Sequence, residues 1–109
     1  MKRRDTPRES AIVAAIIRVL KPVNGLVVRK RWTGGMAAAG DPDLTGCYQG
    51  RHFEIEVKTP GGRLTQLQKV RLLEWQRAGA ITGVVYSAAE ALALLSADGR
   101  EAPPNGGEE

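Results

Sequence analysis

Within "DPDLTGCYQGRHFEIEVKTPGG", residues 41–62, Asp43, Glu56 and Lys58 have the types and spacing that suit phosphate-ester chemistry. Alternation along "FEIEVK" sets Phe53, Ile55 and Val57 on one face and Glu54, Glu56 and Lys58 on the other. If residues 43–48 pair with 51–58 through a turn at Gln49-Gly50, Asp43 and Glu56 approach one another. Two carboxylates about 4 Å apart repel by about 4 kcal/mol at a surface-like dielectric. A divalent cation turns that repulsion into binding. Oxygen-only ligands suit Mg²⁺ or Mn²⁺, which keep several waters for a phosphate to displace. Lys58 is placed to orient or deprotonate an attacking water, or to stabilise charge building on phosphorus. The plainer reading of the same residues is a solvated sheet face, with Asp43 capping a turn.

The flanking sequence supplies the elements that would hold these side chains. "TPRESAIVAAIIRVLK" predicts a first helix, with Thr6 as N-cap, Pro7 at the first helical position and Glu9 completing a Thr-x-x-Glu capping box. Its stripe of Ile12, Val13, Ile16, Ile17, Val19 and Leu20 must pack on a sheet, and Pro22 with Asn24-Gly25 turns the chain. Three strands follow, "LVVRKRWT", "DLTGCYQ" and "RHFEIEVK", the first two separated by a Gly- and Ala-rich loop. After the Gly61-Gly62 turn, "TQLQKVRLLEWQRAG" predicts a second helix with a Thr65/Gln68 capping box and Gly79 as its stop. "AITGVVYS" predicts a fourth strand and "AAEALALLSA" a last helix. The order α-β-β-β-α-β-α describes an α/β (α+β) domain, an antiparallel meander and one helical crossover in a small mixed sheet flanked by helices. One domain over residues 1–97 is expected, followed by an acidic, disordered tail over 98–109.

Asp43 after Pro42, then Glu56-Val57-Lys58, reproduces the "PD…(D/E)xK" signature of restriction-endonuclease-like nucleases. The fuller run "DPDLTGCYQGRHFEIEVKTPGGRLTQLQ…GAITGVVYS" resembles the VRR-NUC domain in its stand-alone phage or bacterial form. The resemblance covers roughly residues 9–95. It implies a restriction-endonuclease-like core and a metal-dependent DNA endonuclease. Asp43 and Glu56 would be metal ligands, the Val57 carbonyl a third, and Lys58 the catalytic lysine. Glu9 would match the helix-one acid brought to the metal, commonly through water, and Gln68 the helix glutamine beside the lysine. "GDPD" also offers Asp41, and Asp43 is preferred because it follows Pro42 and begins the strand. Stand-alone members resemble archaeal Holliday junction resolvases, which act as homodimers, so branched DNA is the favoured substrate. Linear duplex, nicked or flap DNA, and a non-catalytic DNA-binding or assembly module, are the alternatives.

Glu9 and Gln68 each keep a second reading as capping-box partners. Glu54 shares the strand face but falls outside the motif, and an exposed acid is expected there. His52, the only histidine, cannot supply a histidine-based metal motif and is expected to be solvated. The chain carries +4 overall, and residues 1–31 hold nine basic residues against two acidic, +7. Arg29, Lys30 and Arg31 there, with Gly61, Gly62 and Arg63 after the third strand, are candidate nucleic-acid contacts. Trp32 is expected to be half-buried, and Cys47, the only cysteine, to be a small packing residue of a protein in a reducing compartment. Hydrophobic content of 42% with only 5% aromatic residues builds a modest core of Val, Ile, Leu and Ala, to which a homodimer would add buried area. No apolar run is long enough to span a bilayer, and a cytoplasmic protein with no membrane contact is expected.

Overall fold

A computed structural model describes residues 8–32 and 38–100, the last three by their backbone alone. The elements run α1 (Glu9–Leu20), β1 (Leu26–Lys30), β2 (Leu44–Tyr48), β3 (Arg51–Val57), α2 (Gln66–Arg77), β4 (Ile81–Val85) and α3 (Ala88–Arg100). This is the predicted order.

One sheet of four strands in the order β1-β2-β3-β4 forms the middle layer. β1, β2 and β3 pair antiparallel, and β4 joins β3 in parallel after the α2 crossover. The β2–β3 register runs from Tyr48↔Arg51 to Leu44↔Ile55, so the hairpin loop is Gln49-Gly50. Both loop residues have positive φ, 51° and 84°. Such a turn matches the strand twist and pins the register, and a one-residue slip would reverse every side chain on β3. Gly46 is required for another reason. A Cβ there would collide with the Val27 carbonyl oxygen and with the Phe53 ring that lies across it.

The alternation in β3 separates two unlike layers. Phe53, Ile55 and Val57 join Leu26, Val28, Leu44, Ile81 and Val85 on one face, where Ile12, Val13, Ile16 and Leu20 of α1 and Ala91 and Leu95 of α3 close the core. Burial of that stripe, worth roughly 1.5–3 kcal/mol for each fully buried large aliphatic side chain, fixes both helices on the sheet. Glu54 and Glu56 point to the opposite face, which α2 covers through polar contacts, and no α2 residue is fully buried.

Three boundaries depart from expectation. The N-cap of α1 is Arg8, without a side-chain cap bond, and Glu9 stands in the first turn instead of closing a capping box. Thr6 and Pro7 lie outside the described residues. β1 ends at Lys30, with one further ladder bond from the Arg31 N–H to the Asp43 carbonyl. The last helix continues through Asp98 and Gly99 to Arg100, beyond the expected limit at 97. Residues 33–37 of the loop and 101–109 of the tail also lie outside the described residues. No helix among the described residues is long and apolar enough to cross a membrane.

Candidate active site

Asp43 is tied to both of its neighbouring strands. Its carbonyl accepts the Arg31 backbone N–H at 2.8 Å, extending the β1–β2 ladder by one step. Its carboxylate Oδ2 accepts the Val57 N–H at 3.0 Å, on the far side, from β3. Leu44 faces Ile55, so the residue before Leu44 lies opposite Glu56. Pro42, fully buried, stiffens the approach. This is the approach of Asp43 to Glu56 expected from the hairpin.

Glu56 is only 2% exposed. Gln68 Nε2 donates to its Oε2 at 3.0 Å, and Lys58 Nζ stands 3.7 Å from the same oxygen. Among the described residues no donor reaches Oε1. Burial, and then the charge of Asp43, push the Glu56 pKa from 4.5 up to about 7, with Glu9 adding a smaller push and Lys58 opposing it. The Glu9 charge therefore bears on the centre from the first turn of α1.

Gln68 closes a capping box and reaches Glu56 at once. Its side-chain Oε1 accepts the Thr65 N–H at 2.9 Å while Thr65 Oγ1 accepts the Gln68 N–H at 3.1 Å, a complete capping box. The amide nitrogen left over is the one that holds Glu56. A cap satisfies the acceptor half of the amide, and the carboxylate takes the donor half.

A hard divalent cation fits this donor set. Two carboxylates share a site, one is buried, and the oxygen Oε1 has no donor among the described residues. Burial and the neighbouring Asp43 charge, only partly offset by Lys58, disfavour the ionised Glu56 and raise its pKa. Among the described residues no three His, Cys, Asp or Glu side chains cluster to hold an ion by themselves. Two carboxylates with water and substrate phosphate completing the shell is the way Mg²⁺ is commonly bound. Asp43 and Glu56 would hold the ion, with the Val57 carbonyl and Glu9 as further candidates.

A second polar cluster lies two residues back along β3. Glu54 is completely buried, contrary to the exposed position expected for it. Arg31 Nη2 donates to Glu54 Oε1, Thr45 Oγ1 donates to Oε2 at 2.6 Å, and His52 Nε2 is hydrogen-bonded to Oε2 at 2.6 Å. His52 also stacks on Trp75 of α2, with ring centroids 5.1 Å apart, so it is partly exposed but not simply solvated. Arg31 lies over the same indole and donates from Nε to the Pro42 carbonyl at 2.9 Å. Arg31, expected as a nucleic-acid contact, is engaged by the protein itself. The guanidinium turns inward because the buried Glu54 carboxylate needs a counter-charge. Asp41 accepts the Trp75 Nε1–H at 3.2 Å and lies 3.9 Å from Arg31 Nη1, so it belongs to this cluster. Of the two acids in "GDPD", only Asp43 faces Glu56.

Arg29 and Lys30 are exposed on β1, the sheet edge two strands away from β3. Trp32 is 68% exposed and Cys47 is exposed, correcting the half-buried and packed states expected of them. Cys47 is paired with His52 across β2 and β3, but the cover that α2 gives the polar face through Trp75 stops at His52. Gly61, with φ 86°, and Gly62, whose N–H donates to the Thr59 carbonyl at 2.8 Å, form the tight turn directly after Lys58. Arg63 follows and lines an open recess of about 500 Å³ with Lys69, Val84 and Tyr86.

Sequence reasoning missed Trp75, Lys69 and Tyr86. Trp75 was findable, since it stands seven residues after Gln68 and therefore on the same helix face. Lys69 and Tyr86 carry no such signal, because only the α2 crossover brings them together. No family model, curated protein or solved structure matches the chain. The functional reading therefore rests on these residues and their placement.

Proposed function

We propose that the protein is a divalent-metal-dependent DNA endonuclease of the VRR-NUC type, using Mg²⁺ or Mn²⁺ and acting on branched DNA, with a four-way Holliday junction as the first candidate substrate. One observation carries the reading. Asp43 lies beside a buried Glu56 whose pKa is raised to about 7, while Lys58 and Gln68 both address the same Glu56 oxygen. A solvated sheet face would need none of this convergence.

When bound, the cation supplies Lewis-acid polarisation of the phosphate and a lowered pKa for the attacking water. The chain's own residues do the rest. Asp43 and Glu56 provide the anionic seat. Gln68 fixes the Glu56 carboxylate so that Oε1 stays free of the helix. Lys58 reaches the seat from the strand end, where its backbone N–H donates to the Val85 carbonyl at 3.0 Å. That anchored lysine orients the attacking water or neutralises charge developing on phosphorus. The products would be 5′-phosphate and 3′-hydroxyl ends, as the resemblance implies. A homodimer would bring two such seats to the two strands of a junction.

The test compares labelled four-way junction, flap and linear duplex of matched sequence, each with Mg²⁺, Mn²⁺ or EDTA, beside Lys58→Ala. Paired symmetric nicks confined to the junction, lost with EDTA and in Lys58→Ala, are expected. Cutting of all three substrates would retain the nuclease and discard the junction preference. Intact DNA throughout, with the protein folded and DNA-bound, would leave a binding module in its place.

A further inference from the structure

The recess beside the acidic pair is joined to it at three points. Val84 of β4 is the register partner of Glu56, and its side chain shares the polar face. Lys69 follows Gln68, the residue bonded to Glu56. Tyr86 follows Val85, whose carbonyl accepts the Lys58 N–H. The recess thus opens at the carboxyl ends of the two parallel strands, one residue from the seat on each wall, where crevices in α/β sheets bind ligands.

Its lining has a definite chemistry. Arg63 and Lys69 contribute two cations, and among the described residues no carboxylate lines the space. Tyr86 supplies an aromatic ring and is 37% exposed. Its backbone is anchored, since its N–H donates to Glu90 Oε1 at 2.8 Å while the Glu90 N–H donates to Ser87 Oγ at 3.1 Å. The ring therefore projects from a fixed point and can receive a base at low ordering cost. A volume of about 500 Å³ is within the range of small-ligand sites and far too narrow for a duplex.

We infer that this recess is a subsite for one unstacked nucleotide beside the bond to be cut, its base on the Tyr86 ring and its phosphate on Arg63 and Lys69. The inference rests on the nuclease reading for the position of the cut, and it narrows the substrate to strands whose stacking is interrupted next to that bond. A branch point supplies such a nucleotide, and uninterrupted duplex does not. Aromatic stacking tolerates any base, so the subsite selects structure over sequence.

The experiment places 2-aminopurine at successive positions across the branch of a four-way junction and binds the protein in EDTA, with uninterrupted duplex of the same sequence as control. Quenching at one position next to the branch is expected, kept in Tyr86→Phe and lost in Tyr86→Leu, with circular dichroism confirming that both variants fold. Tyr86→Leu should bind the junction about tenfold more weakly. Arg63→Ala with Lys69→Ala should lower the slope of log affinity against log salt by about 1.4, two contacts to a single strand. Quenching that survives Tyr86→Leu, quenching at no position, or equal quenching on duplex would overturn the subsite. Cleavage of the same DNA with Mn²⁺ is scored separately. Cutting without Tyr86-dependent quenching removes the subsite alone, and Tyr86-dependent quenching without cutting removes the nuclease reading alone.

Discussion

Glu56 holds its proton more tightly in the fold than in the unfolded chain, and the sign of that difference has two measurable results. Its pKa lies near 4.5 unfolded and about 7 folded, so between those values only the folded state keeps the proton. The contribution is therefore fully present below about 4.5, falls as pH rises, and levels off above about 7. Integrated over the window it amounts to about 3 kcal/mol. Urea unfolding of the metal-free protein beside Glu56→Gln should show the wild type losing about that much relative to the variant between pH 4.5 and 7.5. A constant difference across the window would contradict the burial of Glu56 beside Asp43. If Mn²⁺ occupies the proposed seat it must displace the same proton, so calorimetry should then find its affinity rising with pH up to about 7 and flat beyond. At this scale the placement of Asp43, Glu56, Lys58 and Gln68 relative to one another was legible, because strand alternation, one hairpin turn and one capping box fix it locally. Sequence reasoning misjudged Glu54 and Cys47, whose surroundings depend on how far α2 covers the sheet, a long-range fact that no local pattern carries.

The elements were legible for physical reasons that differ from one to the next. Apolar spacing marks α1, β-branched alternation marks the strands, and the Gln49-Gly50 and Gly61-Gly62 turns mark where they stop. The start of α1 was not legible, since Thr6-x-x-Glu9 is a sound capping pattern yet Arg8 holds the cap position. Two predictions belong to this scale. Thr65→Ala should cost about 1 kcal/mol of stability from the lost cap. If the proposed nuclease reading holds, its effect on cleavage should exceed that loss, because the same box orients the Gln68 amide toward Glu56; equal falls in stability and activity would separate the two roles. Arg31→Ala should be more damaging, by about 3–5 kcal/mol, since it strands the buried Glu54 carboxylate. It also removes the side-chain bond to the Pro42 carbonyl, one residue before Asp43. Arg31→Lys should recover little of it, because an ammonium cannot bond Glu54 and Pro42 while lying flat on Trp75. Chemical denaturation of the two variants decides the point.

As a whole, the molecule is a sheet with two unlike sides, an aliphatic core under α1 and α3 and a hydrogen-bonded polar layer under α2. Sedimentation should give about twice the 11.7 kDa chain mass if the proposed homodimer forms. A chain-mass particle that still makes paired nicks would require the two cuts to come from successive encounters.

The unlike sides also imply unlike modes of melting. Releasing α1 or α3 exposes the aliphatic core and must coincide with global unfolding. Releasing α2 uncovers polar partners that water can satisfy, with no fully buried residue of its own to expose. Such a partial opening carries a small heat-capacity change and little sensitivity to denaturant. Amide hydrogens of α2 should therefore exchange through a separate, shallower event than those of β3 and α1, nearly independent of low urea. Each such opening takes Gln68 away from Glu56 and Trp75 away from His52 while the sheet stays intact. Mild warming should thus part Gln68 from Glu56 reversibly before the fold is lost.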